Sequence, residues 1–518
     1  MSRRSSSRRH RGERPEVRAA AAPTAPPPAA EPAPKFAALW LCLAALVPSL
    51  NTLTGAFLYD DLPVIVQNAR LHGLAKMPEI WTHGYWPDRP GLTLYRPVTQ
   101  TLWNLLWVAG GGQPWLFHVV NLLMFCGVVV LAFQVLQSMN VSGRTAFLAA
   151  LLFAVLPIHT EATAAIIGGS ELLAAVFGLG ALWLYHRGAH GRALGLYLLA
   201  VFSKESASAL AGIALLGPWL ESGPRPRVKF GRLALHAAVV AGVVGLALLA
   251  RSAVMSGLEF VPPIDNPMSL VNGPRRVLTA LWVQCLYVAK TVVPLQLSAD
   301  YSYRQIPLVM GLQDPRAWAG LALAALATWV LLRRPGARLG LAWWIVPFLP
   351  TANLLLPIGT MMGERLAFLP SLGLVLLLVQ AGERRRWLPV AVAVVAVVFA
   401  FRTAVRNTVW HDADEFYPRL VETSPDSAKT HYFLGCLKAA RDDPAGALAE
   451  YDRAIAIFRP YPEALNNRGC ILVQLGRLEE AKASFRDCLR FDPGHAAAAA
   501  SLQCLENGIP FEPHKPKI

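Results

Sequence analysis

Apolar segments of roughly 15 to 25 residues recur from residue 36 to about residue 404 of this 518-residue chain. Few arrangements other than a set of membrane-spanning helices can surround so many of them with nonpolar material. Hydrophobic residues make up 54% of the chain and charged residues 16%, where an ordinary globular domain has about a quarter charged. Mean hydropathy is +0.39. That balance excludes a disordered chain and argues against a purely soluble one. Candidate spans run over 36–57, 113–137, 145–160, 168–186, 192–203 with 206–220, 231–251, 277–294, 316–332, 339–357, 366–380 and 388–404. The fold class this predicts is all-α.

Charge orients the spans. Residues 1–35 are Arg/Ser-rich, then Ala/Pro-rich, and form a basic cytoplasmic tail expected to be disordered. The next apolar run is too long for a signal-peptide core and lacks a clean cleavage site, so it reads as an uncleaved first span. Loops at 186–192, 221–232, 332–338 and 383–387 are basic and expected on the cytoplasmic side. Loops at 58–112, 252–275 and 296–315 are then expected on the other side. The last two flank 277–294, which must be interfacial or re-entrant if both face outward. That favours eleven crossings over twelve and puts the C-terminal region outside the cytoplasm. The net charge of +15 is scattered over the tail and short loops. It forms no single base-reading face, so no nucleic-acid partner is expected.

After residue 405 the composition changes to soluble helix. Gly435 and Gly469, Ala447 and Ala481, Tyr451 and Phe485, and Ala454 and Cys488 are each 34 residues apart. Small and aromatic residues at a 34-residue period are the tetratricopeptide pattern. The organisation expected is a membrane domain at 36–404 with its first outer loop at 58–112, a linker at 405–427, repeats at 428–461 and 462–495, and a capping helix and tail at 496–518. The seven cysteines form no CxxC and no zinc-spaced cluster with histidine. Those of the repeats read as small packing residues, with a disulfide the lesser option.

Charges beside membrane spans are costly, and each needs an account. Asp60–Asp61 follow the first span. One carboxylate could take a proton from a hydroxyl while the other orients a substrate or cation; the pair could also be an acidic helix-to-loop boundary. His159-Thr160-Glu161 follow Pro157, and Glu171 lies ten residues beyond Glu161. Lys204–Glu205 read as a structural ion pair or an anion site. Glu364–Arg365 stand at the mouth of a helix, where the planar guanidinium suits two phosphate oxygens. Arg96, Arg251 and Arg275 are further cations.

Several stretches together carry a resemblance: FLYDDLPVIVQN (57–68), YRPV (95–98), FHVVNLLMF (117–125), LPIHTEATAAIIGGSELLAA (156–175), SKES (203–206), DNP (265–267), LSADYSYRQIPLV (297–309), PTANLLLPIGTMMGERLAFLPSLG (350–373) and RTAVRNTVW (401–409). In this order, and ending in repeats, the chain resembles the transmembrane and tetratricopeptide repeat-containing family, O-mannosyltransferases of the GT-C membrane glycosyltransferase class. The resemblance implies a GT-C-like membrane domain and a polyprenyl-phosphate-linked sugar donor. It implies transfer to a protein or glycan hydroxyl on the non-cytoplasmic face, with the acceptor recruited by the repeats. It places the catalytic site at Asp60 and Asp61, and its motifs match at His159, Glu161, Lys204 and Arg365; with the residue reading this makes Asp60, Asp61 and Glu161 the catalytic candidates, Arg365, Lys204 and Arg96 the phosphate-binding ones, and His159, Glu171 and Glu364 supporting ones. No cofactor is required, and a divalent cation beside the carboxylates is compatible with it. Gly169 and Ser170 depart from the family pattern, which usually has an Arg there, and animal members have many more repeats. High Ala, Arg and Pro content points to a GC-rich bacterium, with the protein in the inner membrane and the repeats in the periplasm. Two other readings stay open on the residues: a non-catalytic membrane scaffold with repeats, and a lipid-linked oligosaccharide ligase or flippase.

Overall fold

The structure, a computed structural model, describes residues 31–87, 94–220, 230–255 and 261–509. The tail 1–30, Asp88 and Arg89 of the first loop, residues 221–229 of the basic loop and residues beyond 509 lie outside them, and so do the expectations made for those stretches. Among the described residues all regular elements are helical and no strand occurs.

Among the described residues six helical segments are long and apolar enough to cross a bilayer: Ala37–Thr54, Pro114–Ser138, Ile166–His186, Leu233–Val254, Pro315–Arg333 and Leu388–Trp410. A seventh pairs Gly143–Val155 with Pro157–Thr163 across a 54° bend. Leu249 is 68% exposed, Leu332 67% and Phe401 73%. Large apolar side chains left open along such helices suit a lipid surround. The chain is thus a multi-pass membrane protein.

The remaining apolar stretches fall short of spans for local reasons. The 339–357 stretch is helical only over Arg338–Phe348 and then turns. The 192–220 region breaks at Lys204, whose backbone is extended (φ −156°, ψ 132°), between His190–Ser203 and a 3-10 turn Glu205–Ala209. The 277–294 stretch lies in Gly273–Val292, an amphipathic helix carrying Arg275, Arg276 and Lys290. Pro370–Gly382 is a short apolar helix.

The first outer loop is a packed cap and not an open loop. It contains helices Met77–Thr82 and Pro97–Ala109. Trp103 and Leu106 of the second bury against Val64, Ile65, Leu71, Ile80, Tyr85 and Phe117. Its aromatic residues Tyr85 and Trp103 supply much of this small core.

The 405–427 stretch, expected as a linker, is also structured. Helix Leu388–Asn407 runs into it, and Ala413–Thr423 follows. Phe416, Tyr417 and Leu420 bury with Leu434 and Leu437 of the next helix and with Leu58, Ala164, Ala165 and Ala299. The repeat unit is therefore packed on the membrane part. Its helices are Ala428–Ala440, Pro444–Ile457, Pro462–Gln474, Leu478–Phe491 and Ala496–Glu506. A Cβ on Gly435 would meet Tyr451 Cε1 at 2.7 Å, and one on Gly469 would meet Phe485 Cε1 at 2.6 Å. The 34-residue spacing thus records two equivalent close approaches of ring to backbone. All seven cysteines are free thiols, and Cys436, Cys470 and Cys488 are buried.

Candidate active site

Asp60 and Asp61 sit after the first span and divide sharply. Asp61 is 1% exposed. Its Oδ2 accepts from the Leu58 amide at 3.0 Å and its Oδ1 from the Ile167 amide at 2.7 Å. This carboxylate ties the first cap segment to the start of the 166–186 span. Burial pushes Asp61 up to about 7, although both amides favour the anion. Asp60 is half-buried, and its carboxylate has no hydrogen-bond or ion-pair partner among the described residues.

Arg365, Lys204 and Arg96 each meet a carboxylate, and for Arg365 and Lys204 it is not the one adjacent in sequence. Arg365 pairs with Glu161 through its guanidinium and its backbone amide, the latter at 2.8 Å. Lys204 pairs with Glu171, both side chains buried. Arg96 donates from Nε and Nη2 to Glu205 at 2.9 and 2.5 Å, with its guanidinium 4.9 Å above the Tyr85 ring. The expected Lys204–Glu205 pair is absent. Extended backbone sends successive side chains to opposite sides, and Lys204 is extended. Glu205 therefore faces the cap while Lys204 faces the 169–186 helix.

Pro157 explains the Glu161–Arg365 meeting. Proline disfavours helical backbone in the residue before it, and Leu156 is extended (φ −61°, ψ 121°). The 54° bend that follows turns Glu161 sideways onto the Glu364–Ala367 turn. Burial opposes the Arg365 charge, but Glu161, Asp60 and Glu171 together outweigh it and hold the guanidinium protonated. Asp60 therefore lies within electrostatic reach of Arg365. Only one guanidinium nitrogen of Arg365 is bonded to Glu161, and its side chain is 27% exposed.

Two supporting candidates lie apart from these pairs. His159 is 2% exposed and ringed by Phe125, Phe153 and Phe368. Its Nε2 meets Ser371 Oγ at 2.8 Å, and that hydroxyl donates to the Phe368 carbonyl. His159 is a core clamp between the bent span and the 370–382 helix. Glu364 is fully buried and accepts from the Ser298 amide at 2.6 Å and the Tyr301 hydroxyl at 2.5 Å. Burial pushes it up to about 7 against the pull of Arg406. For a cation, Asp61 has both oxygens engaged by amides. Among the described residues no three His, Cys, Asp or Glu side chains group with metal-ligand spacing.

Residue reasoning missed Tyr85 under Arg96 and which carboxylate each cation pairs with. It also missed Asp300 and Lys429, which bracket Tyr59 beside Asp60: Tyr59 Oη donates to Asp300 at 3.4 Å, and Lys429 Nζ lies 5.8 Å from the Tyr59 ring. Asp300 falls within the LSADYSYRQIPLV stretch, which was the available signal.

Fold and site together define a multi-pass helical membrane protein with a tetratricopeptide solenoid and interlaced charge pairs beside its spans. Within that class, two family models match parts of the chain. The family model described as "Protein O-mannosyl-transferase TMTC, DUF1736" matches residues 259–328, and the tetratricopeptide repeat model matches 462–495. The chain is similar to human protein O-mannosyl-transferase TMTC4, at 27% identity over 81% of this chain and 66% of the relative. It is 26% identical to Drosophila melanogaster protein O-mannosyl-transferase Tmtc3, over 86% of this chain and 58% of the relative. Protein O-mannosyl-transferase F38B6.6 of Caenorhabditis elegans is 26% identical over 81% and 62% respectively. The chain spans at most about two thirds of the length of these relatives. No solved structure matches it.

Proposed function

We propose that this protein is a GT-C-like membrane glycosyltransferase. It moves a sugar, mannose by analogy with the names of its relatives, from a polyprenyl-phosphate donor to a protein hydroxyl on the non-cytoplasmic face. The observation that carries the reading is the asymmetry of the aspartate pair. Asp61 is engaged by two amides, while Asp60 is free of partners among the described residues and in reach of Arg365. Asp60 takes the proton of the acceptor hydroxyl as its oxygen attacks the anomeric carbon. The bond from that carbon to the phosphate oxygen breaks, and polyprenyl phosphate leaves carrying the negative charge.

Arg365 stabilises that charge with the guanidinium nitrogens that Glu161 leaves free. Glu161 orients Arg365. Lys204 and Arg96, more buried and already paired with Glu171 and Glu205, fix the walls and add positive potential. No step requires a metal. About eleven crossings, with the short apolar helices completing the spans and the amphipathic 273–292 helix interfacial, would put the N-terminus in the cytoplasm and the repeats with the site outside it. In a bacterium that is the periplasm. The docked repeats would present the acceptor.

The test is donor use in reconstituted membranes. Arg365→Lys keeps the charge but loses the planar fork. A phosphate role predicts lower turnover and weaker donor use at unchanged accumulation. Wild-type turnover and donor affinity in Arg365→Lys would remove Arg365 from that role.

A further inference from the structure

The segment that carries Asp60 is held in place by residues far from it in sequence. Tyr59, immediately before Asp60, has a left-handed backbone with φ 54°. An aromatic residue keeps that conformation only where its surroundings impose it. Its ring packs edge-on to Phe433 at 5.0 Å and tilted against Phe416 at 5.9 Å. Its hydroxyl donates to Asp300 Oδ1 at 3.4 Å.

Asp300 is 6% exposed and engaged on both oxygens. Its Oδ2 accepts from Ser302 at 2.8 Å and from Ser427 at 2.5 Å. Ser427 is the N-cap residue of the first repeat's leading helix, which also carries Phe433 and Lys429. Ser424 donates to the Asp300 carbonyl at 2.6 Å, and Lys429 meets Asp265 at 2.8 Å. Asp300 therefore holds one hydroxyl from the segment before Asp60 and one from the repeat unit. Its own loop reaches the opposite side of the site, because Ser298 and Tyr301 both donate to Glu364, the neighbour of Arg365.

We propose that Asp300 is a positioning residue: it fixes Tyr59 against the first repeat, so the adjoining Asp60 is held in its place only while the repeat unit is docked. Asp300, buried with both oxygens engaged, acts through Tyr59. The inference rests on the reading of Asp60 as the proton acceptor, but its structural half stands on the hydrogen bonds alone.

Two substitutions test it in the full-length protein in nanodiscs. Asp300→Ala removes both accepting oxygens and with them the link from Tyr59 to Ser427. Tyr59→Phe breaks that link from the other side and keeps the ring, which guards against misfolding of the first variant. Hydrogen exchange is read at the amides of Asp61 and Leu62, which donate to the Leu58 and Tyr59 carbonyls at 2.9 and 3.3 Å. Both variants should speed that exchange about tenfold or more, since a hydrogen bond to a charged group is lost. Exchange in the second repeat should not change. In transfer assays from a polyprenyl-phosphate-linked mannose, kcat should fall about tenfold with the donor KM unchanged. The double variant should be no worse than the poorer single one, because both remove one link. Unchanged exchange in Tyr59→Phe, or losses that add in the double variant, would overturn the inference. Absence of transfer by the wild type would instead sink the functional reading, and the exchange comparison would still decide whether Asp300 holds the segment.

Discussion

A carboxylate whose two oxygens both face backbone amides has little freedom left for chemistry, and Asp61 is in that position. Replacing it with Asn puts an amide N–H against a backbone N–H. Such a buried mismatch costs about 1–3 kcal/mol, so Asp61→Asn should lower the melting temperature and the yield of folded protein. The pH dependence has a definite sign. Burial raises Asp61 to about 7, above the ordinary value of about 4. The folded state then binds more protons between those limits, and the Asp61 contribution to stability falls as pH rises from about 4 through about 7. Glu364, also raised to about 7, acts in the same direction. Thermal unfolding of the detergent-solubilised protein at pH 5 and pH 8 checks this. The wild type should lose more stability over that interval than Asp61→Asn, and equal slopes would remove Asp61 as the cause. Adjacent charges gave the sequence reading its candidates but not its pairs. Lys204 and Glu205, and Glu364 and Arg365, each diverge where the backbone is extended or turning, and no residue pattern records that divergence.

The repeat helices are the elements most legible in the sequence, because the 34-residue period follows directly from ring-on-glycine packing. Gly469→Ala would place a methyl within 2.6 Å of Phe485 Cε1. Overpacking of this kind costs about 1–3 kcal/mol, and a drop in the repeat unit's unfolding midpoint by urea titration is expected. Glu450 gives the same unit an acid limit. It is 5% exposed and bonds His431 Nδ1 at 2.8 Å and Lys438 at 3.0 Å. Burial alone would raise it, but His431 and Lys438 prevail and hold it below the usual glutamate range. Its stabilising contribution is present at neutral pH and is lost as pH falls through and below about 4. Glu450→Gln should reduce that acid sensitivity while costing stability at pH 7, readable by helical circular dichroism. Helices in the membrane part were less legible. Apolar length alone did not show that 339–357 stops at Phe348, or that 273–292 is amphipathic along its whole length.

At the scale of the whole molecule, the contact between the first repeat and the Tyr59 segment puts the repeats and the charge pairs on one side of the spans. A reporter fused after Lys517 should therefore be active on the side where donor is consumed, and activity only in the cytoplasm would contradict the proposed topology. The cap formed by residues 58–87 and 94–112 and the docking of the repeats were the parts least visible beforehand. The docking depends on contacts between segments hundreds of residues apart, such as Tyr59 with Asp300 and Phe433, and the cap on a small core drawn from scattered aromatic and aliphatic residues of its own segment. The central claim is that Asp60 accepts a proton during transfer from a polyprenyl-phosphate sugar. The most direct measurement is transfer of labelled mannose from a polyprenyl-phosphate donor to a Ser/Thr peptide by purified protein in proteoliposomes, wild type beside Asp60→Asn at matched folded protein. The account predicts transfer by the wild type and a loss of at least ~100-fold in Asp60→Asn, with Asp61→Asn retaining far more activity per folded molecule. An Asp60→Asn protein as active as the wild type would contradict it.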